Sequence, residues 1–130
     1  IIVPCTGCQK CFKYFYPEVL GEISFSVHHV VEIIYDLLKE NPATLRKVQR
    51  TATYQDPCRL AREEGITEEP RKVLDWCGAE LKEMNENREE ASCCGAGAGI
   101  RSVYRDLSLR IASNLLNTVR TESIVSSCPF

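Results

Sequence analysis

Strands that alternate with helices predict an α/β fold: a mainly parallel sheet with helices on both faces. Three observations carry this expectation. Short extended runs at 1–3, 51–54 and 123–127 each lead into a turn that carries a cysteine. Segments 27–40 and 100–118 place apolar residues at helical spacing. Between the runs lies enough chain for the helical crossovers that parallel neighbours require.

Residues 1–3 (Ile-Ile-Val) read as a buried strand ending at Pro4-Cys5. A helix is expected over 9–16, broken by Pro17, with Gly21 closing the region. Residues 23–26 are a candidate short strand. Residues 27–40 form an amphipathic pattern, with Val31, Ile34, Leu37 and Leu38 near one face and a stop at Asn41-Pro42. After strand 51–54, Asp56-Pro57 starts a helix, with Asp as N-cap and Pro in the first turn. Gly65 interrupts, and Pro70 opens a short helix through Val73, Leu74 and Trp76. Residues 79–84 alternate like a strand with one exposed face, and 85–90 are a polar turn. The small-residue loop 92–99 precedes the clearest helix, 100–118, with Val103, Leu107, Ile111, Leu115 and Leu116 on one face. The last strand, 123–127, runs into Cys128-Pro129-Phe130. These elements stack as Rossmann-like layers. Val125-Ser126-Ser127-Cys128 echoes Ile2-Val3-Pro4-Cys5, the mark of a duplicated unit.

The 130 residues suit one domain, with 44% hydrophobic and 26% charged residues, which excludes a disordered tail or a fibre. No apolar run is long enough to span a bilayer. The net charge of −2 lacks the basic excess of a nucleic-acid binder, so no nucleic-acid partner is expected. No basic region precedes an apolar stretch at the start, and the first residue is Ile1, so a fragment or processed chain of cytoplasmic location is expected.

Eight cysteines are the outlier. In a reducing compartment, clustered cysteines read as metal ligands or redox thiols. Cys5, Cys8 and Cys11 form C-x2-C-x2-C. Cys93 and Cys94 are adjacent and precede Gly95, with 34 residues between Cys58 and Cys93 and 33 between Cys94 and Cys128. Cys5, Cys58 and Cys128 each follow a predicted strand, and ligands of open parallel sheets bind beyond the carboxyl ends of strands. Cys58 falls in a first helical turn, where free N–H groups favour the thiolate. The loop after Cys94 has almost no side chains, so its backbone can approach an inorganic centre. Adjacent cysteines suit a centre of several metal atoms better than one zinc, whose usual spacing is C-x2-4-C.

Cys58, Cys93-Cys94-Gly95 and Cys128-Pro129-Phe130 together resemble the cysteine-rich CCG domain of heterodisulfide reductase catalytic subunits. The domain also occurs in iron–sulfur subunits of glycolate and lactate oxidation. Flanks such as Tyr54-Gln55-Asp56-Pro57-Cys58 and Asn87-Arg88-Glu89 add to the likeness, which covers essentially the whole chain. The resemblance implies tandem motifs. Residues 1–26 would then be the tail of a preceding copy, with Cys5 and Cys8 as its terminal C-x2-C, within a single CCG-type α/β domain spanning 1–130. The family's final cysteine would follow Phe130. The resemblance further implies that Cys58, Cys93, Cys94 and Cys128 ligate a noncubane [4Fe-4S] cluster, with Cys5 and Cys8 on a second. Such clusters reduce a small thiol/disulfide substrate, the coenzyme M–coenzyme B disulfide, by one-electron steps. The implied partners are a flavoprotein, a ferredoxin-like subunit or a membrane cytochrome subunit, which would hold the chain peripherally on the inner face of a membrane. The isolated fragment is expected to be inactive.

Other readings stand beside these. An electron-transfer subunit of a membrane-linked dehydrogenase would share the motif, and a thiolate cluster also attracts structural zinc. A ferredoxin run fails because Phe15 and Tyr16 stand where Cys and Pro belong. Gly95-Ala96-Gly97-Ala98-Gly99 fails the nucleotide pattern, with Ile100 in place of the third Gly. Cys11 is expected on a helix and Cys77 as a buried inert thiol. Glu63, Glu64, Glu68 and Glu69 read as a solvated face, Tyr14, Phe15 and Tyr16 as core, and His28 and His29 as the opening of a helix.

Overall fold

The computed structural model describes residues 1–41 and 45–130. Strand β1 (Ile2–Val3) leads through Pro4-Cys5 into α1 (Thr6–Lys10), a π-helical turn (Cys11–Phe15) and α2 (Tyr16–Leu20). Strand β2 (His28–His29) and helix α3 (Val30–Glu40) follow. Next come β3 (Arg50–Gln55), α4 (Cys58–Arg62), α5 (Glu68–Trp76) and β4 (Ala79–Leu81). A 3-10 turn (Arg88–Glu90), α6 (Ile100–Val103), α7 (Arg105–Leu116) and β5 (Ile124–Ser126) complete the chain.

The α/β class and the parallel sheet are as expected, since every strand pair described is parallel. The strands form two ladders: β1-β2, and β4-β3-β5 with β3 in the centre. Val3 pairs with His29 in the first, and Tyr54 with Val125 in the second. Central β3 is buried from Ala52 to Gln55.

Several local expectations are corrected. Pro17 does not break the first helix. The Tyr16 N–H reaches back five residues to the Cys11 carbonyl, and this widened turn admits the proline ring. Gly21 ends the segment at φ +80°, as its permissive backbone allows. Residues 23–26 are irregular, and the strand lies instead at His28–His29, so α3 starts at Val30. The helix ends with Asn41 as its C-cap; Pro42, the other half of the expected stop, lies outside the described residues. The predicted helix 100–118 is interrupted at Tyr104, whose ψ of +63° is not helical. Tyr14, Phe15 and Tyr16 are exposed rather than core, and so are Leu37, Val103 and Leu116 from the predicted apolar faces.

The acidic run is more than a solvated face. Glu63 and Glu64 receive Lys10 and Lys13, tying α4 to the first helical segment. Behind them Val31, Leu60 and Ile66 form the apolar core, with Leu60 fully buried. Burying one such leucine contributes roughly 1.5–3 kcal/mol.

A buried ion pair ties the interior together. Asp56, 1% exposed, does not cap a helix: it accepts Arg71 Nη1 and Nη2, each at 2.8 Å, on its two carboxylate oxygens. Pro57 takes the N-cap position instead. Arg71 also donates to Glu83 at 2.6 and 2.9 Å and lies 5.2 Å over the Tyr54 ring. Burial pushes the Tyr54 hydroxyl up to about 12, and the hydroxyl donates to Ser127 Oγ at 3.0 Å. Removing one partner of a buried pair leaves an uncompensated charge, which typically costs about 3–5 kcal/mol. Asp56→Ala is therefore expected to lower the unfolding free energy by about that amount in urea melts. A double Asp56→Leu, Arg71→Met variant should recover a large part of the loss.

Candidate metal centre

Strands β1, β3 and β5, each in a parallel ladder, run, respectively, towards Cys5, Cys58 and Cys128, all just past carboxyl ends of strands. Cys58, Cys93, Cys94 and Cys128 line one cavity of about 420 Å³. Ala96, Gly97, Ala98, Gly99, Ile100 and Phe130 wall it with small or apolar groups. Cys5 and Cys8 do not line this cavity but lie beside it, because the intervening Thr6 and Gly7 do. Thr6 Oγ1 is 3.7 Å from Cys128 Sγ. Cys5 and Cys8 are themselves in thiol contact: a hydrogen bond to Cys5 raises the Cys8 pKa, with further charge repulsion from Cys5. Cys11, in the π-helical turn, and Cys77 stand apart from the cavity; both are half-buried, so Cys77 is less enclosed than expected. All eight cysteines are free thiols.

Two clamps hold the cysteine-bearing segments in place. Asp56 Oδ2 accepts the Arg88 backbone N–H at 2.8 Å, drawing the turn that leads to Cys93 against the start of α4. Arg62, at the end of α4, donates to the Glu89 and Ala91 carbonyls at 2.6 and 2.7 Å. Sequence reasoning missed both clamps. An aspartate ahead of Pro-Cys carries the signal of a helix cap, and nothing local reveals that a buried arginine 15 positions later claims it.

Gly95 fixes the loop. Its φ is +79°, and a Cβ there would sit 2.8 Å from the Ser108 carbonyl oxygen and 3.0 Å from Ile111 Cβ. The loop is thus pressed onto α7, with its Gly95 N–H donating to Cys93 Sγ at 3.3 Å.

The electrostatics correct another expectation. The Cys58 thiol is pushed up, first by burial and then by charge repulsion from Cys93 and Cys94. The Arg59 N–H acts the other way but is outweighed, since α4 has only five residues. Cys93 and Cys94 thus oppose ionisation of Cys58, and a positively charged occupant would relieve that opposition. Among the described residues, no three or more His, Cys, Asp or Glu side chains converge closely enough to hold a single metal ion. Four thiols distributed around a roomy cavity fit a multi-metal body, which carries its own width, better than one tetrahedral ion with sulfurs at about 2.3 Å. The donor set is all sulfur, the set used by iron–sulfur clusters.

A profile of the cysteine-rich (CCG) domain matches residues 52–130. Over its whole length the chain is 38% identical to one subunit of the dihydromethanophenazine:CoB–CoM heterodisulfide reductase of Methanosarcina mazei, covering 33% of that protein. It is 29% identical to one subunit of the fumarate reductase (CoM/CoB) of Methanothermobacter marburgensis, covering 26% of it. It is 33% identical to the EtfAB:quinone oxidoreductase of Syntrophomonas wolfei, covering 20% of it. The chain thus spans between a fifth and a third of the length of these relatives.

Gly95→Ala is expected to destabilise the fold by about 1–3 kcal/mol or more, and to speed alkylation of Cys93 and Cys94. Thermal unfolding and thiol mapping by mass spectrometry would read both. For Cys58 the raised pKa keeps the neutral thiol at higher pH, so its alkylation should reach half-maximum at higher pH in the folded chain than in urea. The stability this shift contributes is complete below the unfolded pKa and is lost as pH rises through the folded one.

Proposed function

The chain belongs to the CCG cysteine-rich domain family, and on that premise we propose that it is the cluster-binding portion of an iron–sulfur oxidoreductase subunit. The observation that carries the reading is the gathering of Cys58, Cys93, Cys94 and Cys128 around one cavity. These four would hold a noncubane [4Fe-4S] cluster. Cys5 and Cys8 would serve a second centre, as the close of a preceding motif formed by residues 1–26. When bound, such a cluster supplies one-electron transfer and soft iron sites for thiolate sulfur. The chain's own residues prepare the place for it. Gly95 offers a backbone N–H to Cys93 sulfur, and Ile100 and Phe130 turn apolar surface towards the cavity. Asp56 and Arg62 hold the two cysteine-bearing segments at a fixed separation.

The proposed reaction of the full-length protein is reduction of a small disulfide of the coenzyme M–coenzyme B type. The relatives named for CoM and CoB support this reading. The EtfAB:quinone oxidoreductase relative favours a second one: electron transfer between a flavoprotein and a membrane module, with no substrate at this domain. Turnover of the CoM–CoB disulfide by the full-length protein supports the first reading; reduction only through a partner supports the second. Among the described residues no helix is long and apolar enough to cross a membrane.

Air-purified chain is expected to hold little intact cluster, because thiolate-bound iron in an open site oxidises. Anaerobic reconstitution with iron and sulfide should give about four irons per chain at the Cys58 site, resolved by Mössbauer spectroscopy. Cys94→Ser should abolish this signal while far-UV circular dichroism stays unchanged. Full iron content in that variant would remove Cys94 from the ligand set.

A further inference from the structure

His29 is fully buried, yet neither the cysteine cavity nor its two clamps use it. Its Nδ1 accepts the Val31 N–H at 3.3 Å, so a neutral ring carries its hydrogen on Nε2. Glu32 completes the capping arrangement by accepting the His29 backbone N–H at 2.6 Å. Capping accounts for only one edge of the ring. Ser, Asp or Asn would cap α3 as well, and none would extend a donor away from the helix. The second edge is unexplained: Nε2 is buried and makes no hydrogen bond of ordinary geometry to any single partner.

The groups facing that edge are the backbone carbonyls of Pro4 and Ser127. Three separate features bring the segments that carry these carbonyls together. The β1-β2 register sets His29 opposite Val3, one residue before Pro4. Thr6 Oγ1 lies 3.7 Å from Cys128 Sγ. Pro4, Val31, Ser127 and Cys128 line a common cavity of about 390 Å³. Pro4 immediately precedes Cys5, and Ser127 immediately precedes Cys128.

We propose that His29 is a positioning residue whose Nε2–H is shared between the carbonyls of Pro4 and Ser127, so that one ring sets the relative placement of Cys5 and Cys128. It bridges two ladders that share no strand, and these carry the cysteines of the two candidate centres. The deeper consequence, that His29 registers one cluster against the other, rests on the cluster-binding function; the geometric claim does not. Burial pushes the ring's pKa down, while Glu32 and the two carbonyls oppose it, in keeping with a neutral donor.

The test is His29→Asn in the unloaded chain. Asparagine keeps the helix cap but cannot reach the two carbonyls. Alkylation of each cysteine, followed by mass spectrometry, should be several-fold faster at Cys5 and Cys128 and unchanged at Cys58 and Cys77, with the thermal midpoint nearly kept. Unchanged rates at Cys5 and Cys128, or equal acceleration at all eight cysteines, would overturn the proposal. Should the variant not fold, nitrogen-15 NMR of the unsubstituted chain decides. A slowly exchanging Nε2–H on a neutral ring from about pH 5 to 8 supports it, and a fast-exchanging ring overturns it. Failure of the unsubstituted chain to take up iron anaerobically would overturn the cluster reading alone, leaving the thiol rates to judge His29.

Discussion

A buried carboxylate must be paired, and in this protein the pairing of Asp56 organises the candidate site. Asp56 stands between the end of β3 and Pro57-Cys58. Its two oxygens take both terminal nitrogens of Arg71 and the backbone N–H of Arg88. One side chain thereby joins the central strand, helix α5 and the turn leading to Cys93. In a low-dielectric interior neither charge can be left alone, so these three segments keep one arrangement or the fold incurs a large desolvation penalty. Glu83 and the Tyr54 ring enclose Arg71 from other sides, so the guanidinium is held on several edges at once.

The thiols therefore sit on a scaffold held by contacts among the chain's own residues. Cys58 is fixed by the Asp56 clamp, Cys93 and Cys94 by Arg62 and by the close contact of Gly95 with α7. Cys128 is fixed by strand β5 and by the Tyr54–Ser127 hydrogen bond. Burial and the neighbouring Cys93 and Cys94 favour the neutral thiol at Cys58. A metal body that draws the thiolates together works against that preference, so ligand deprotonation and metal binding would be linked. Apolar residues remain exposed on α2 and α6, among them Val19 at 82% and Val103 at 70%. They explain why helical periodicity in the sequence overstates the core: a repeat of apolar residues marks a face, not what covers it.

The strands near Cys5, Cys58 and Cys128 were legible because β-branched runs bounded by proline and cysteine have few other solutions. Helix α5 and the turn at Gly21 were legible for similarly local reasons. The boundaries that differed each had a tertiary or subtle backbone cause. The π-helical turn carries the chain past Pro17, Tyr104 leaves helical geometry between α6 and α7, and β1 recruits His28–His29 as its partner instead of 23–26. Lys10 and Lys13 gave no hint of their pairing with Glu63 and Glu64, because the two segments are some fifty residues apart.

The sequence by itself determined which atoms are available: sulfur donors after strands, a side-chain-poor loop behind Cys93-Cys94, and alternation that demands parallel pairing. Those are consequences of residue chemistry and short-range spacing. Only the tertiary structure decided how the donors meet. Asp56 became a clamp rather than a cap because Arg71 came within reach. Cys58 lost the advantage of its helix start because neighbouring thiols and burial outweighed five residues of helix. His29 came to lie between the ends of two strands because parallel registry placed it opposite Val3. Each outcome depends on distances between segments far apart in the chain, and these are set by which buried polar groups find partners when the core closes.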